Sequence, residues 1–305
     1  MSKPMFYGVI VPLITPFNED LSIDFDAVRW LVRYLAEHGV HGVFPCSTTG
    51  EFVHLKPEEC IELVKVVLEE VRGKVKVIPG ISANCTDHCI ELGRKMRDLG
   101  VDGVIATPPY FFKVSYEKLR LHFSKIAEKV DLPLMIYNIP ATTGINVPIS
   151  LYVELAKEYS NVVGAKVTYD SVTYMRKLIQ EAKSVRKDFS VLTGLDDHLL
   201  YTLMMGGDGG IVALANVVPQ IHVALYRAWA EGNLERAYTM FVKLLKLVQI
   251  YDIASTYPTA VKTALKVLGT PVKPYVRPPL TPEPPEVEEK IRKVLEDLSV
   301  KTLPK

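Results

Sequence analysis

Cysteine is scarce: the chain has four in 305 residues, too few and too scattered to staple a fold. Cys46, Cys60, Cys85 and Cys89 lack the paired spacing of a zinc ribbon, although Cys85 and Cys89 bracket His88 across a helix start. They read as small buried apolar side chains. His38, His41, His54, His122, His198 and His222 show no pairing at ligand spacing, so no metal and no other cofactor is expected. An excess of one charge is also missing. Against 36 Lys and Arg stand 35 Asp and Glu, a formal net charge of +1, and this excludes a basic footprint for nucleic acid or anionic lipid. No apolar run approaches the roughly 20 residues of a membrane span, and Met1-Ser2-Lys3-Pro4 carries no signal-peptide pattern. The expectation is a soluble cytoplasmic protein that handles a small molecule.

What is present is alternation. Short apolar runs are followed by amphipathic stretches of helix length eight times over. The predicted strands are Val9–Ile14, Gly42–Phe44, Val75–Gly80, Gly103–Ala106, Leu134–Asn138, Val162–Lys166, Ser190–Thr193 and Gly209–Val212. Between them the predicted helices run Phe25–His38, Pro57–Arg72, Asp87–Leu99, Tyr116–Lys129, Ile149–Tyr159, Tyr174–Ser184 and Asp197–Met205. Ser115 offers an N-cap, with Lys118 where a full capping box wants Glu. Right-handed crossovers bury both faces of such strands, so the pattern predicts an α/β fold, a closed (β/α)8 TIM barrel. A barrel needs about 250 residues, which leaves a C-terminal helical annex. The expected division is 1–218 for the barrel and 219–305 for the annex. The annex reads as helix from Pro219 to Gly269, a proline-rich strap from Pro271 to Pro285, and a last helix from Glu286 to Leu298.

Lys166 stands at the end of the sixth predicted strand, where burial disfavours an ammonium. A strand-end lysine commonly snorkels to water. The alternative is a desolvated, neutral amine, a nucleophile toward ketones and aldehydes. Chemistry in these barrels gathers at the C-terminal ends of the strands. There the chain sets Ser47-Thr48-Thr49-Gly50-Glu51, Pro108-Pro109-Tyr110, Tyr137-Asn138, Lys166 and Gly194-Leu195-Asp196-Asp197. An amine, phenols, hydroxyls and carboxylates at one mouth suit Schiff-base chemistry.

These segments resemble the superfamily of class I pyruvate aldolases that contains dihydrodipicolinate synthase and N-acetylneuraminate lyase. The likeness runs from Gly8-Val9-Ile10 to Arg277-Pro278-Pro279. It is carried by Thr48-Thr49-Gly50-Glu51, Tyr137-Asn138-Ile139-Pro140 and Lys166 after Val163-Gly164-Ala165. Lys113-Val114-Ser115, Gly194-Leu195-Asp196-Asp197-His198-Leu199 and Gly206-Gly207-Asp208-Gly209-Gly210-Ile211 are similar to the 2-keto-3-deoxygluconate aldolases. The resemblance implies that Lys166 forms an imine with a 2-keto acid and that Tyr137 shuttles protons, its phenol lowered toward the working range. Thr48 and Thr49 would hold the pyruvate carboxylate; apart from the resemblance, a water on Thr49 is the expected substitute for the neighbouring phenol that Phe111 cannot supply. The resemblance further implies a homotetramer built as a dimer of dimers, with Tyr110-Phe111-Phe112 at the tight dimer contact.

Departures from the pattern narrow the substrate. The synthase carries an arginine where this chain has Thr142, so the charge that would hold a second carboxylate is missing. Phe111 occupies the position of a tyrosine that reaches into the neighbouring subunit's site, and Tyr110 remains beside it. Asp196, Asp197 and Thr168 are candidates for the hydroxyls of the aldehyde half, with Gly194 and Ile211 lining the pocket. Each aspartate is equally read as a cap for the helix that follows. The expected activity is cleavage of a 2-keto-3-deoxy sugar acid, such as 2-keto-3-deoxygluconate, to pyruvate and an aldehyde such as glyceraldehyde. N-acetylneuraminate lyase activity, dihydrodipicolinate synthesis, dehydration of a sugar acid on the same imine, and a non-catalytic binding role are the alternatives.

Overall fold

The computed structural model describes residues 4–300. Strands and helices alternate as β1 (Gly8–Pro12), α1 (Phe25–Glu37), β2 (Gly42–Phe44), α2 (Pro57–Val71), β3 (Lys76–Val77), α3 (Thr86–Leu99), β4 (Val104–Ala106) and α4 (Tyr116–Val130). They continue as β5 (Leu134–Asn138), a one-turn α5 (Pro140–Thr143), α6 (Ile149–Glu158), β6 (Val162–Val167), α7 (Val172–Val185), β7 (Ser190–Thr193), α8 (Leu199–Met204) and β8 (Gly209–Ile211). Four helices follow: α9 (Pro219–Ala230), α10 (Leu234–Ile253), α11 (Tyr257–Val267) and α12 (Pro285–Asp297). Among the described residues no helix is long and apolar enough to cross a membrane.

The strands pair in parallel in the order β3-β2-β1-β8-β7-β6-β5-β4. The two ends meet through a parallel bridge between Gly80 and Ile105. Ile81 N donates to Ile105 O at 2.9 Å and Ile105 N to Pro79 O at 3.0 Å, so the sheet closes on itself as the alternation predicts. β3 is shorter than its predicted span because Pro79 has no N–H to give a ladder.

Two apolar cores result. One fills the barrel, with Ile10, Phe44, Ile78, Ile105, Met135 and Leu192 pointing inward. The other lies between strands and helices and takes the alternate strand residues, such as Val9, Val11, Val43 and Ile136. Helix α1 shows how the outer layer forms. Asp24 caps it by accepting from Ala27 N at 3.0 Å, and Ala27, Val28, Leu31, Val32 and Leu35 make one buried stripe.

The predicted helical run from Pro219 to Gly269 is broken twice, and each break has a local cause. Asn233 accepts from Arg236 N at 3.0 Å and starts α10, while Thr256 caps α11 with Pro258 in its first turn. Helices α9 and α10 pack together, and α12 rests on α10 and α11. α10 also touches the single turn Asp196–His198, and α11 touches the turn Ala213–Asn216. The annex therefore lies across the C-terminal mouth of the barrel.

Candidate active site

Lys166 reaches the barrel interior through an irregularity in β6. Leu134 pairs with Val162 but Met135 pairs with Gly164, so Val163 is an extra residue in the strand. Val163 faces the inner core while Val162, Ala165 and Val167 belong to the outer one. Strict alternation from Val163 would bring Ala165 and Val167 inward and turn Lys166 out. The bulge resets the register, and Lys166 comes to lie beside Tyr137, its partner across the ladder. Gly164 permits this: a Cβ there would stand 2.6 Å from the Ser190 carbonyl oxygen.

The Lys166 side chain is 3 % exposed. Its Nζ lies 4.0 Å from the centre of the Tyr137 ring and 4.9 Å from that of Phe44. Burial pushes its pKa down from an ordinary 10.5 to about 7, with the nearby Asp196 carboxylate pulling the other way. Gly194 keeps the space beside it open, since a Cβ there would collide with Thr168 Oγ1 and sit 3.0 Å from Lys166 Cε.

Around this amine is a cavity of about 160 Å³. The predicted residues Thr48, Thr49, Tyr137, Lys166, Thr168, Gly194, Asp196, Asp197 and Ile211 all line it. Thr168 Oγ1 donates to the Tyr137 hydroxyl at 3.2 Å. Burial raises the Tyr137 pKa, and the Thr168 and Thr48 hydroxyls offset part of that rise. The expected lowering of this phenol is thus reversed: it keeps its proton at rest, because burial outweighs two neutral hydroxyls. The Thr48–Thr49 turn is held from below. Ser47 Oγ donates to Leu13 O at 3.1 Å and accepts from Gly50 N at 3.0 Å, and Thr15 Oγ1 donates to Gly50 O at 2.7 Å.

Asp196 and Asp197 part company. Asp196 is buried and its oxygens are engaged by Ala213 N (3.3 Å), Leu214 N (3.2 Å), His222 Nε2 (2.8 Å) and the Tyr251 hydroxyl (3.2 Å). It caps a turn across the barrel mouth, Ala213–Asn216, and not the helix that follows it. Four donors thus occupy the Asp196 carboxylate, while Asp197 lines the same cavity. That carboxyl is half-buried, makes no side-chain cap for α8, and is pushed up by desolvation.

Tyr110 and Thr142 do not line the Lys166 cavity. They line a second one of about 170 Å³, which shares Thr48 and Ile139 with the first. Phe111 and Phe112 pack on each other, ring centres 5.1 Å apart, and are 79 % and 75 % exposed. They do not fold back onto the annex helices of their own chain. Sequence reasoning missed Val248 and Tyr251 of α10 and Tyr257 of α11, which wall the cavity from the annex. Nothing in their spacing signals this, because only the packing of the annex brings them there. It also missed Lys262, a second buried lysine, which pairs with Glu51 at 2.6 Å.

A family model, the dihydrodipicolinate synthetase family, matches residues 5–298. An uncharacterized DapA-like lyase of Thermofilum pendens is 64 % identical over 296 residues, covering 97 % of this chain and 98 % of its own. A probable 2-dehydro-3-deoxy-D-pentonate aldolase of Escherichia coli K12 is 37 % identical over 95 % of this chain and 96 % of its own. A 4-hydroxy-tetrahydrodipicolinate synthase of Methanopyrus kandleri is 38 % identical, over 96 % of both chains. Among solved structures, YagE, a prophage protein of the dihydrodipicolinic acid synthase family from E. coli K12 in complex with pyruvate, superposes with a TM-score of 0.94. It is 34 % identical, over 97 % of this chain and 99 % of that one.

Proposed function

This chain belongs to the dihydrodipicolinate synthetase family and is a lyase, and from that premise we propose that it is a Schiff-base aldolase for a 2-keto-3-deoxy sugar acid. The substrate class is that of 2-keto-3-deoxygluconate, cleaved reversibly to pyruvate and an aldehyde such as glyceraldehyde. The observation that carries this reading is Lys166: an inward-facing, buried amine with a pKa near 7, beside a phenol and a two-threonine turn. The lowering increases the share of neutral amine near neutral pH, and the neutral amine is the form that attacks a keto carbon.

The chemistry follows from the neighbours. Lys166 Nζ adds to the keto carbon, and loss of water gives an iminium. A carboxylate next to that carbon is held by Thr48 and Thr49, small hydroxyl residues that supply donors without bulk. In cleavage the C4 hydroxyl gives up its proton, the C3–C4 bond breaks, and its electron pair moves to the iminium nitrogen as an enamine. The aldehyde leaves, C3 takes up a proton, and water releases pyruvate and the amine. Tyr137 serves as the proton carrier. Its phenol is protonated at rest, and the positive iminium that forms beside it favours the transient phenoxide. Thr168 and Thr48 flank that oxygen.

The lack of a second cation in the lining supports a sugar-derived aldehyde over an amino-acid aldehyde. Among the described residues, neither the Lys166 cavity nor the adjoining one is lined by an arginine, and the only lysine is Lys166 itself. Thr142 offers a hydroxyl where a second carboxylate would require a cation. The reading includes a cytoplasmic protein in which barrel and annex, 1–218 and 219–305, act as one unit. It also includes a homotetramer in which the exposed Phe111 and Phe112 are covered by a second copy. The test is reduction with borohydride in the presence of pyruvate, followed by mapping of the mass increment. An adduct on Lys166 is expected, and release of aldehyde from a panel of 2-keto-3-deoxy sugar acids separates cleavage from dehydration. An adduct on another lysine would overturn the assignment.

A further inference from the structure

Lys262 is as deeply buried as Lys166 and has no part in the imine chemistry. It is 0 % exposed. Its Nζ donates to Glu51 Oε1 at 2.6 Å and to the Tyr275 carbonyl at 2.8 Å, and it stands 4.2 Å from the centre of the Phe17 ring. The other oxygen of Glu51 accepts from Arg277 N at 3.0 Å. Glu51 is thus gripped by α11 and by the strap that follows it.

Glu51 also has an unusual backbone, φ 57° and ψ 38°, in the left-handed region that a side chain of this kind rarely enters. Strain of this sort persists where the surroundings over-determine it, and it points from geometry to function. Glu51 is the residue that ends the Thr48-Thr49-Gly50 turn, and Glu51 N donates to Thr48 O at 3.1 Å. A buried ion pair is weak evidence for stability, since an apolar pair of the same volume commonly serves as well. Its best-attested use is to hold one register.

Resting on the aldolase reading above, we infer that Lys262 is a positioning residue: through Glu51 it holds the Thr48–Thr49 turn in the geometry that grips the substrate's carboxylate. The annex is then part of the binding machinery, reaching the turn from the far side of the cavity wall. Loss of the pair frees Glu51 to leave its left-handed conformation and lets the turn donors drift from the carboxylate. Imine formation at saturating pyruvate survives, because Lys166 and Tyr137 sit on β6 and β5, away from this contact.

The experiment is the pyruvate dependence of borohydride-trapped adduct on Lys166 in the wild type, in Lys262→Met, and in Lys262→Met combined with Glu51→Gln. Melting temperature is measured on the same samples. The expected result is a half-saturating pyruvate concentration raised about tenfold in both variants, a loss of uniform binding, with the saturating adduct yield retained. The double variant should recover melting temperature, since it leaves no unpaired buried charge, and should not recover affinity. If Lys262→Met fails to fold, the double variant decides alone. Wild-type half-saturation in the double variant overturns the inference and leaves the aldolase reading standing. No adduct on Lys166 in the wild type overturns both.

Discussion

Among the described residues two lysines are buried, and their partners set them apart. Lys262 has a carboxylate at 2.6 Å; Lys166 has the faces of Tyr137 and Phe44. A pKa of about 7 in the fold, against 10.5 ordinarily, means that unfolded chains bind more protons at Lys166 between those pH values. Stability therefore rises with pH across that window, and the full penalty applies below about pH 7. At 1.36 kcal/mol per unit it is on the order of 5 kcal/mol. Lys166→Met should accordingly be more stable than the wild type, with a gain in denaturant midpoint that is large at pH 6 and nearly gone at pH 10. An equal gain at both values would show that the amine is not desolvated. The same titration governs chemistry. The rate of imine formation at fixed pyruvate should climb through an inflection near pH 7 and level off above it, and a flat profile from pH 6 to 9 would count against Lys166. For Tyr137, replacement by Phe should cost at least a hundredfold in cleavage, within the usual range for a general acid–base group. Near-full activity in that variant would move the proton carrier elsewhere, with Tyr110 next in line.

At the level of elements, β6 is the decisive strand. Lys166 at its C-terminal end was legible in the sequence as a lysine closing an apolar run, but the direction of its side chain was not. That direction depends on the extra residue Val163, and a bulge is visible only against its pairing partner. Gly164→Val should therefore do more than lose a little stability. With a Cβ 2.6 Å from the Ser190 carbonyl oxygen, the strand has to shift, and pyruvate trapping on Lys166 should fall about tenfold or more, as misplacement of a reacting group does. Wild-type trapping in Gly164→Val would show that the bulge does not aim the amine. The loop after β4 carries a second element-scale expectation. Phe111 and Phe112 are too exposed to contribute to the core of a single chain, so Phe111→Asp should leave the far-ultraviolet spectrum unchanged while lowering the mass seen by light scattering. A wild-type protein that is monomeric at micromolar concentration would remove the need for that contact.

For the whole molecule, the annex and the barrel mouth form one wall, with Val248, Tyr251 and Tyr257 opposite the amine. The absence of an arginine along both cavities, among the described residues, leads to a selectivity prediction. Condensation of pyruvate with D-glyceraldehyde should be far more efficient than with aspartate semialdehyde. Comparable kcat/KM values for the two would overturn the preference assigned to this pocket.

The sequence by itself determined the alternation of strand and helix, hence the barrel, and the set of residues at the strand ends. Both follow from local patterning: apolar runs of strand length, amphipathic helices, and hydroxyl, phenol and amine side chains at the turns between them. It also determined the missing charge at Thr142. Which of those residues face one another was decided only by tertiary structure. Asp196 reads in sequence as equal to Asp197, yet His222, Tyr251 and two backbone N–H groups from distant segments occupy it. Tyr137 reads as a phenol open to neighbours that lower its pKa, and burial raises it instead. Glu51 and Lys262 lie 211 positions apart and meet in the dark of the core. Burial and long-range pairing are properties of the packed chain. They depend on sums over neighbours from distant segments, and no local pattern encodes those sums.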